Sequence, residues 1–318
     1  MRLEHALKLD IEPIPPYNFE LTIHKPAEWS LFSNYEVYQK GTIWTATLLV
    51  DTLAGVKLVS KGTTEKPRIA ATLYLKEMPT KELAKELERN LIHDIGADED
   101  LTDFYALAKK DDVLGLALED LYGMHNTKQS TVFPDAALSV LLQMAPMKRS
   151  GEMMDCYIKS YGEAAEFDGK KVWAWPRPER IARVKPEEMA KSCKLGYRAK
   201  RIVQMAKAIV DAGFPTTEEL ERMSPEEAKE KLLELPGIGD YSADIVNPHG
   251  GFPIDVWSAD VFGRLFFGKE PENGREAIEE IKAEGIRRWG KWSWMAFYYV
   301  VQDLGNLSRK LGVQLRLS

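Results

Sequence analysis

A short glycine-containing run near residue 237 is the part of this 318-residue sequence best suited to binding an anion. The residue pattern predicts one helix before the run and a second helix after it, from Tyr241 to Val246. At the start of the second helix the backbone amides have no helical partners, and such a cluster of N–H groups binds phosphate. Glycine lets phosphate oxygens approach the backbone and permits positive φ. The candidate phosphate-binding residues are Leu235, Pro236, Gly237 and Gly239, and a purely structural turn is the alternative.

A carboxylate follows this run at the predicted start of another helix. Asp255 comes directly after Phe252-Pro253-Ile254, and Arg264 lies nine residues further along. A carboxylate at this place can stabilise an oxocarbenium-like sugar and activate a water molecule, which is the chemistry of glycoside cleavage. Asp is also a common N-cap residue. A capping role without catalysis is therefore the alternative interpretation of Asp255.

The charge balance has to be assessed by segment. The chain has 43 Lys+Arg and 49 Asp+Glu, a net charge of -6, and an acidic balance argues mildly against nucleic-acid binding. Residues 169–207, however, contain 12 Lys+Arg and three Glu, a local charge of +9. Such a segment just before the glycine run suits a surface that binds a phosphate backbone. A solvated helical face is the alternative.

The pattern along the chain predicts an α+β fold. In the first 80 residues, β-branched and aromatic segments separated by Gly and Pro predict an antiparallel sheet of about five strands. These segments are Phe19–Ile23, Tyr35–Tyr38, Thr42–Val50, Val56–Val59 and Ile69–Leu75. From Thr80, a predicted N-cap, the period becomes helical. The expected domains are an antiparallel β-sheet domain at 1–80, a helical domain at 81–128 plus 247–318, and a helical domain at 129–246.

Cysteine content and hydropathy exclude several classes of protein. Cys156 and Cys193 are too few for a four-thiolate iron–sulfur cluster or a four-cysteine zinc site. We expect both thiols to be reduced, in a cytoplasmic protein, and we expect no catalytic metal. The N-terminus, with His5, is expected to be mobile and lacks the apolar run of a signal peptide. No apolar stretch of about 18 residues occurs, so no membrane association is expected.

Three motifs resemble those of the helix-hairpin-helix DNA glycosylase superfamily. They are the hairpin run with Pro253-Ile254-Asp255-Val256 after it, Leu195-Gly196-Tyr197-Arg198-Ala199-Lys200 before it, and Trp175-Pro176-Arg177-Pro178 further upstream. The likeness is greatest to the 8-oxoguanine glycosylase and AlkA-type alkylbase glycosylase branch, and it covers most of the chain. A β-rich N-terminal domain and a late aromatic helix, predicted from Trp289 to Leu304, also fit that branch.

The resemblance implies a DNA repair glycosylase that flips a damaged base, an oxidised or alkylated purine, out of duplex DNA and hydrolyses its N-glycosidic bond. Asp255 is the implied catalytic residue. The candidates for the base pocket are Tyr241, Trp257, Trp292 and Trp294, for which packing between helices is the alternative. The candidates for DNA contacts are Gln143, Met147, Lys148, Arg149, Arg198, Lys200 and Arg264. The implied partner is double-stranded DNA with a damaged base, bound by a monomer near the nucleoid or in a nucleus. No cofactor is implied except a monovalent cation at the hairpin carbonyls.

Two departures from the family pattern affect the expected mechanism. Family members that also cut the DNA strand carry a Lys two residues after the second hairpin glycine, where this chain has Tyr241. Water is therefore the expected nucleophile, although a lyase that uses Lys194 stays open. The Asn-rich turn of the 8-oxoguanine enzymes is missing, which makes Gln143 and Met147 the wedge candidates, with an ordinary helix end as the alternative. A non-catalytic helix-hairpin-helix DNA-binding protein is the rival function.

Overall fold

The computed structural model describes residues 1–24, 35–129, 131–269 and 275–315, with the side chains of Met147, Ala212 and Arg275 outside the description. It has an α+β fold with an antiparallel five-stranded sheet, so the predicted fold class is confirmed. The strands are β1 His5–Ile11, β2 Val37–Gln39, β3 Thr42–Leu49, β4 Thr52–Ser60, β5 Ile69–Leu75, β6 Glu163–Phe167 and β7 Lys170–Ala174.

Helices account for most of the remaining regular structure. The first eight in chain order are α1 Phe19–His24, α2 Lys81–Asp94, α3 Thr102–Ala108, α4 Asp112–Leu121, α5 Val132–Leu142, α6 Met147–Tyr161, α7 Pro178–Ile181 and α8 Pro186–Ser192. The others are α9 Tyr197–Ala212, α10 Thr217–Arg222, α11 Pro225–Leu233, α12 Asp240–Val246, α13 Val256–Phe267, α14 Arg275–Trp289, α15 Ser293–Gln302 and α16 Leu304–Leu311. No helix in the described ranges has the length and apolar character needed to cross a membrane.

The chain divides into two compact units. The first contains Met1–Asp100 and Tyr122–Phe214, and the second contains Leu101–Leu121 and Pro215–Ser318. The glycine hairpin and Asp255 therefore fall in the same unit. The three domains expected from the sequence are not tested by this division into two units, and they stay a prediction.

The sheet of the first unit has the strand order β1-β5-β4-β3-β2, with antiparallel pairing throughout. The predicted strands overlap β2 to β5. The expectation of a mobile N-terminus is wrong, because His5 begins β1 and lies opposite Leu75 of β5. Leu7, Leu9 and Ile11 alternate with Lys8 and Asp10, which is itself the period-two signal of a strand, and pairing with β5 completes it.

The predicted strand at Phe19–Ile23 is also wrong, since these residues form helix α1. Asn18 Oδ1 accepts a hydrogen bond from the backbone N–H of Leu21 at 3.1 Å and so caps the helix. Phe19, Thr22 and Ile23 are buried, at the three- and four-residue spacing of one helical face. A local cap and one buried face therefore override the β propensity of the segment.

Both faces of the sheet are covered by apolar side chains. One face joins α1 and α2 in a cluster that includes Leu73, Leu87 and Leu91. The opposite face packs on the β6–β7 hairpin, where Trp44 and Phe167 belong to a second cluster. A Cβ added at Gly55 of β4 would lie 2.3 Å from the Phe167 ring, so glycine is required for this close approach. Helix α2 begins where predicted, since Thr80 Oγ1 accepts the Leu83 N–H bond.

A disulfide joins Cys156 of α6 to Cys193, the residue after α8. The expectation that both thiols are reduced is therefore wrong for this structure. The hydroxyls of Tyr161 and Ser192 lie 3.1 Å apart at the same junction. Together these contacts tie α6 to the segment that leads into α9.

The second unit contains α3, α4 and α10 to α16. The long aromatic helix expected from Trp289 to Leu304 is interrupted. Helix α14 ends at Trp289, and a 3-10 turn at Gly290–Trp292 precedes α15. Gly290 has a φ of +51°, a left-handed conformation that breaks the helix. The helix expected from Asn273 begins within the described part at Arg275, because residues 270–274 lie outside it.

Asp303, which precedes α16, is a buried acid with an altered affinity for protons. Asp303 is only 2% exposed, and Asn306 Nδ2 donates a hydrogen bond to its Oδ1 at 2.6 Å. Burial raises the pKa of Asp303 to about 7, with the charge of Asp120 acting in the same direction. The unfolded chain releases this proton near pH ~4. Ionisation therefore penalises folding progressively as the pH rises through this window.

Replacing Asp303 with Asn is expected to remove this pH dependence. The variant should match the wild-type free energy of unfolding at pH ~3, below both pKa values of Asp303, where both side chains are neutral. At pH ~8 it should be more stable than the wild type, by about 1.4 kcal/mol for each unit of pKa shift that is relieved. Urea unfolding at both pH values measures the difference. Asp103→Asn, an exposed acid of the same unit, is the control, and an equal change at both pH values would contradict the prediction.

Candidate functional site

The glycine run forms the predicted hairpin between α11 and α12. The N–H of Ile238 donates to the carbonyl oxygen of Leu235 at 3.1 Å, which closes the turn. Gly237 has a φ of +91°, where a side chain would be strained. Gly239 is the N-cap of α12 and is exposed, with no atom within 4 Å of the place where a Cβ would lie. The first backbone amides of α12 thus begin at an open surface.

Asp255 is the N-cap of α13 in a complete capping box. Its Oδ1 accepts hydrogen bonds from the Ser258 N–H at 2.8 Å and from Ser258 Oγ at 2.7 Å. The N–H of Asp255 lies 2.8 Å from the same hydroxyl. Asp255 therefore caps α13, as one interpretation of the sequence held, and this role does not decide whether it is also catalytic. Both side-chain bonds use Oδ1, and Oδ2 takes no part in the capping box, so one half-buried carboxylate serves the helix and still presents a second oxygen.

The charge of Asp255 affects the ionisation of the Tyr241 hydroxyl. The residue is half-buried in the first turn of α12. Burial raises the pKa of the Tyr241 hydroxyl, and the negative charge of Asp255 raises it further. The phenol therefore stays protonated and neutral at physiological pH. The hairpin helix therefore carries an aromatic hydroxyl within electrostatic reach of the Asp255 carboxylate, and the pocket role of Tyr241 stays a prediction.

The three tryptophans predicted for the pocket lie in different surroundings. Trp294 packs against the loop before Asp255, since a Cβ at Gly250 would lie 2.6 Å from the Trp294 Cβ. Trp292 instead packs on Phe104 of α3, with ring centroids 5.7 Å apart. Trp257 is half-buried in the first turn of α13, two residues after Asp255. Of the two late tryptophans, Trp294 is thus the one placed at the loop before Asp255.

Arg264, predicted to contact DNA, lies on α13 and pairs with a neighbour on the same helix. Its Nε is 3.0 Å from Asp260 Oδ1, in an i,i+4 arrangement. The side chain is half-buried. Part of its hydrogen-bonding capacity therefore serves the helix itself.

In the first unit, the turn at residues 143–146 connects α5 to α6 and is anchored by α9. Gln143, the C-cap of α5, uses its carbonyl oxygen to accept hydrogen bonds from Arg198 and from the Tyr197 hydroxyl. Its side-chain Oε1 accepts another from Arg201 at 2.5 Å. Met144 follows with a φ of +49° and is 93% exposed. The anchored Gln143 thus presents Met144 at the tip of the turn.

The predicted basic contacts differ in their exposure. Arg198 is buried and binds the Gln143 carbonyl, which makes it a support for the turn. Lys200 on α9 and Lys148 on α6 are exposed. Arg149 links α6 to the segment before α9, because its guanidinium donates to the Lys194 carbonyl at 2.8 Å. Met147 begins α6, and its side chain lies outside the described part of the structure.

Sequence reasoning missed Met144 and a group of charges around the buried Asp244 on α12. The exposure of Met144 goes with its left-handed φ, which the residue pattern does not show. The charged group did carry a signal, because Asp240 and Asp244 stand four residues apart on the predicted hairpin helix. Two acids on one helix face repel each other unless cations lie close by, and the sequence does not show which lysines or arginines pack against them.

No group of three or more His, Cys, Asp or Glu side chains in the described ranges is arranged to hold a metal ion. The monovalent cation implied by the resemblance would instead use backbone carbonyls of the hairpin. Oxygen ligands suit hard cations. The Leu235 carbonyl accepts one hydrogen bond, from Ile238, and a carbonyl oxygen has two lone pairs. One such oxygen does not define a cation site, so the ion stays a prediction from the resemblance.

Comparison with known proteins gives relatives of a single chemical class. No family model matches the chain. A DNA-3-methyladenine glycosylase of Bacillus subtilis (strain 168) is 25% identical over 228 residues, which cover 70% of this chain and 74% of that protein. A probable N-glycosylase/DNA lyase of Methanothermobacter thermautotrophicus (strain Delta H) is 24% identical over 264 residues, which cover 76% of this chain and 80% of that protein.

The fold is similar to that of a solved glycosylase structure. The Clostridium acetobutylicum 8-oxoguanine glycosylase/lyase, in complex with double-stranded DNA containing cytosine opposite 8-oxoG, has a TM-score of 0.72 at 14% identity. The match covers 98% of this chain and 100% of that one. These relatives and this neighbour are DNA glycosylases, in agreement with the predicted helix-hairpin-helix superfamily and branch.

Proposed function

We propose that this protein is a DNA repair glycosylase of the helix-hairpin-helix superfamily, which hydrolyses the N-glycosidic bond of a damaged purine flipped out of duplex DNA. One observation carries the proposal. Asp255 caps α13 through Oδ1 alone, and its charge acts on the Tyr241 hydroxyl in the first turn of the hairpin helix, so a carboxylate with a second oxygen and an aromatic side chain accompany a hairpin suited to phosphate. The names of the relatives support the same reaction class.

The chemistry follows from the two oxygens of Asp255. Ser258 holds Oδ1, which fixes the orientation of the carboxylate. Oδ2 then faces the reaction as the oxygen that stabilises positive charge on the sugar and orients a water molecule. The base departs with the electrons of the glycosidic bond, and water adds at C1′ and loses a proton to the carboxylate. That proton then passes to an oxidised base that leaves as an anion, or to solvent when a cationic alkylated base leaves neutral, so the carboxylate is restored. The products are a free base and an abasic site.

Tyr241 and Trp294 are proposed to contact the flipped base. A neutral phenol and an indole offer flat apolar faces on which a purine ring stacks. The hairpin amides of α12 would bind a backbone phosphate of the same strand. Lys148 and Lys200 are exposed cations that suit contacts to other phosphates. None of these contacts requires a second copy of the chain, and we propose that a monomer acts on chromosomal DNA in the nucleoid or nucleus.

We further propose Met144 as the wedge that fills the space left by the flipped base. Its unbranched side chain is exposed at the tip of an anchored turn, and methionine is among the apolar residues that proteins insert between base steps. Gln143, the residue expected from the sequence, is instead engaged by Arg198 and Arg201. Its bonds would have to break before it entered the stack.

Replacing Met144 with Ala is expected to lower the single-turnover excision rate about 10-fold, because unstacking a paired base costs a few kcal/mol that a wedge helps to offset. The loss should shrink when the damaged base is placed in an unpaired bulge, where extrusion is easier. Met78→Ala is the matched control, since Met78 is another exposed methionine of the first unit. An equal loss on paired and unpaired substrates would contradict the wedge assignment.

The decisive experiment is a glycosylase assay on a panel of duplexes. Each duplex carries one lesion, either an alkylated purine such as 3-methyladenine or an oxidised purine such as 8-oxoguanine. Release of one class of base, with an abasic site left in the strand, is the expected result. Tight binding of the duplexes without release of any base would favour the rival function, a non-catalytic DNA-binding protein.

A further inference from the structure

Four charged side chains meet beside the hairpin in the second unit. Lys229 of α11 lies 2.6 Å from Asp240 Oδ1 and 2.7 Å from Asp244 Oδ1. Lys282 of α14 contacts the remaining oxygen, Oδ2, of each aspartate. We name this group the charge clamp. Each lysine bridges both aspartates, so each carboxylate has both oxygens engaged.

The clamp compensates charges that would otherwise oppose the fold. Asp240 and Asp244 lie four residues apart on α12, where two like charges repel. The Asp244 side chain is only 4% exposed, and a buried carboxylate without a cation would be strongly destabilising. Burial opposes ionisation of Asp240, yet the hydrogen bonds from Lys229 and Lys282 outweigh it and keep its pKa below the usual range. Asp240 is therefore ionised at physiological pH.

Asp244 also touches the loop that leads to Asp255. A Cβ added at Gly251 would lie 2.6 Å from Asp244 Oδ1, so glycine is required for this contact. The Gly251 carbonyl in turn accepts a hydrogen bond from Ser293 Oγ at 3.3 Å. Only three residues separate Gly251 from Asp255. The same buried carboxylate thus contacts α11, α14 and the catalytic loop from its place on the hairpin helix.

A second contact fixes the beginning of this loop. Asn247, the C-cap of α12, donates from Nδ2 to the Pro225 carbonyl at the start of α11, at 3.0 Å. Its Oδ1 accepts a hydrogen bond from the His249 N–H at 3.1 Å. The loop is therefore held at both ends by residues that belong to the hairpin or touch it.

We propose that Asp244, held by Lys229 and Lys282, is a positioning residue that sets the catalytic loop against the DNA-binding hairpin. This inference rests on the proposed glycosylase function. The hairpin locates a backbone phosphate, and Asp255 must reach the sugar of a nucleotide on that backbone. A fixed distance between the two is worth much in rate, because a misplacement of about 1 Å costs about 100-fold. The clamp supplies that distance without touching the substrate.

The test compares excision rate with DNA affinity in Asp244→Asn. This substitution keeps the size of the side chain and leaves two lysines facing one carboxylate. We expect the single-turnover excision rate to fall about 10- to 100-fold, whereas Kd for duplex DNA with an abasic site changes by less than about 3-fold. Glu218→Gln is the matched control, because it removes an acid from the exposed Arg222–Glu218 pair of the same unit. Parallel losses of rate and affinity would overturn the positioning role.

A pair of substitutions at Lys282 covers the case in which Asp244→Asn fails to fold. Lys282→Met removes the cation, whereas Lys282→Arg retains it with a longer reach to both carboxylates. The excision rate should fall at least about 5-fold in the first variant and stay within about 2-fold of the wild type in the second. Equal rates in the two variants would contradict the proposal.

Hydrogen exchange separates this inference from the proposed function, since it does not depend on any reaction. In Lys282→Met and Asp244→Asn, the amide hydrogens of residues 249–252 and 254 should exchange faster, whereas Glu218→Gln should leave them unchanged. If the loop keeps wild-type protection, the clamp does not position it, whatever the excision result. If the loop loosens in a protein that releases no base from any duplex, the clamp stands as a structural link and the proposed function fails.

Discussion

Replacing Asp255 with Asn is expected to lower the single-turnover excision rate about 10²- to 10⁴-fold, the range over which a positioned acid or base contributes. Asn is as good an N-cap as Asp, and its Oδ1 can still accept the Ser258 N–H bond. The variant should therefore fold normally while it lacks the negative charge that stabilises the sugar and accepts a proton. Rapid-quench measurement of base release, with enzyme in excess over DNA, gives the rate.

The companion variant Ser258→Ala separates charge from orientation. It retains the Asp255 carboxylate and removes the hydroxyl that lies 2.7 Å from Oδ1. A loss of about 10-fold or less is expected, because the backbone N–H of residue 258 still holds Oδ1. DNA affinity should be close to that of the wild type in both variants. An Asp255→Asn protein that releases base at the wild-type rate would exclude this carboxylate from the chemistry.

Replacing Tyr241 with Lys is expected to convert a hydrolase into an enzyme that forms a covalent intermediate with DNA. The ε-amine would take the place of the Tyr241 hydroxyl, whose pKa the negative charge of Asp255 now raises. Attack of the amine on C1′ expels the base and gives an iminium ion, which borohydride reduces to a stable protein–DNA adduct. We expect no adduct above background with the wild type and a clear adduct with the variant, as a shifted band on a denaturing gel.

The same trapping experiment decides whether the wild type has a lyase step. A trapped wild-type adduct would contradict the water mechanism. If that adduct disappears in Lys194→Ala, the nucleophile is Lys194, an exposed lysine with a φ of +52° before α9. Lys191→Ala is the control, because it removes an exposed lysine of the same basic segment.

The parts of the fold that follow from local pattern were predictable. Thr80 caps α2, and the alternation in Ile69–Leu75 produces β5, because both depend on residues within one or two turns or pleats. The failures have separate causes. Residues His5–Ile11 carry an alternating signal that had been overlooked, and their pairing with β5 shows that they form a strand. At Gly290, a left-handed residue divides a stretch whose apolar content had suggested one continuous helix.

The candidate site shows the same division. The sequence alone determined the hairpin and the capping Asp255, since Gly-x-Gly and Pro-Ile-Asp act through backbone geometry within a few residues. Tertiary structure decided which side chains share a site. It brought the Tyr241 hydroxyl within reach of the charge of Asp255, turned Arg198 inward to hold Gln143, and gathered three charged side chains around Asp244. Such contacts join residues from separate helices, and only the packing of those helices brings them within hydrogen-bonding distance.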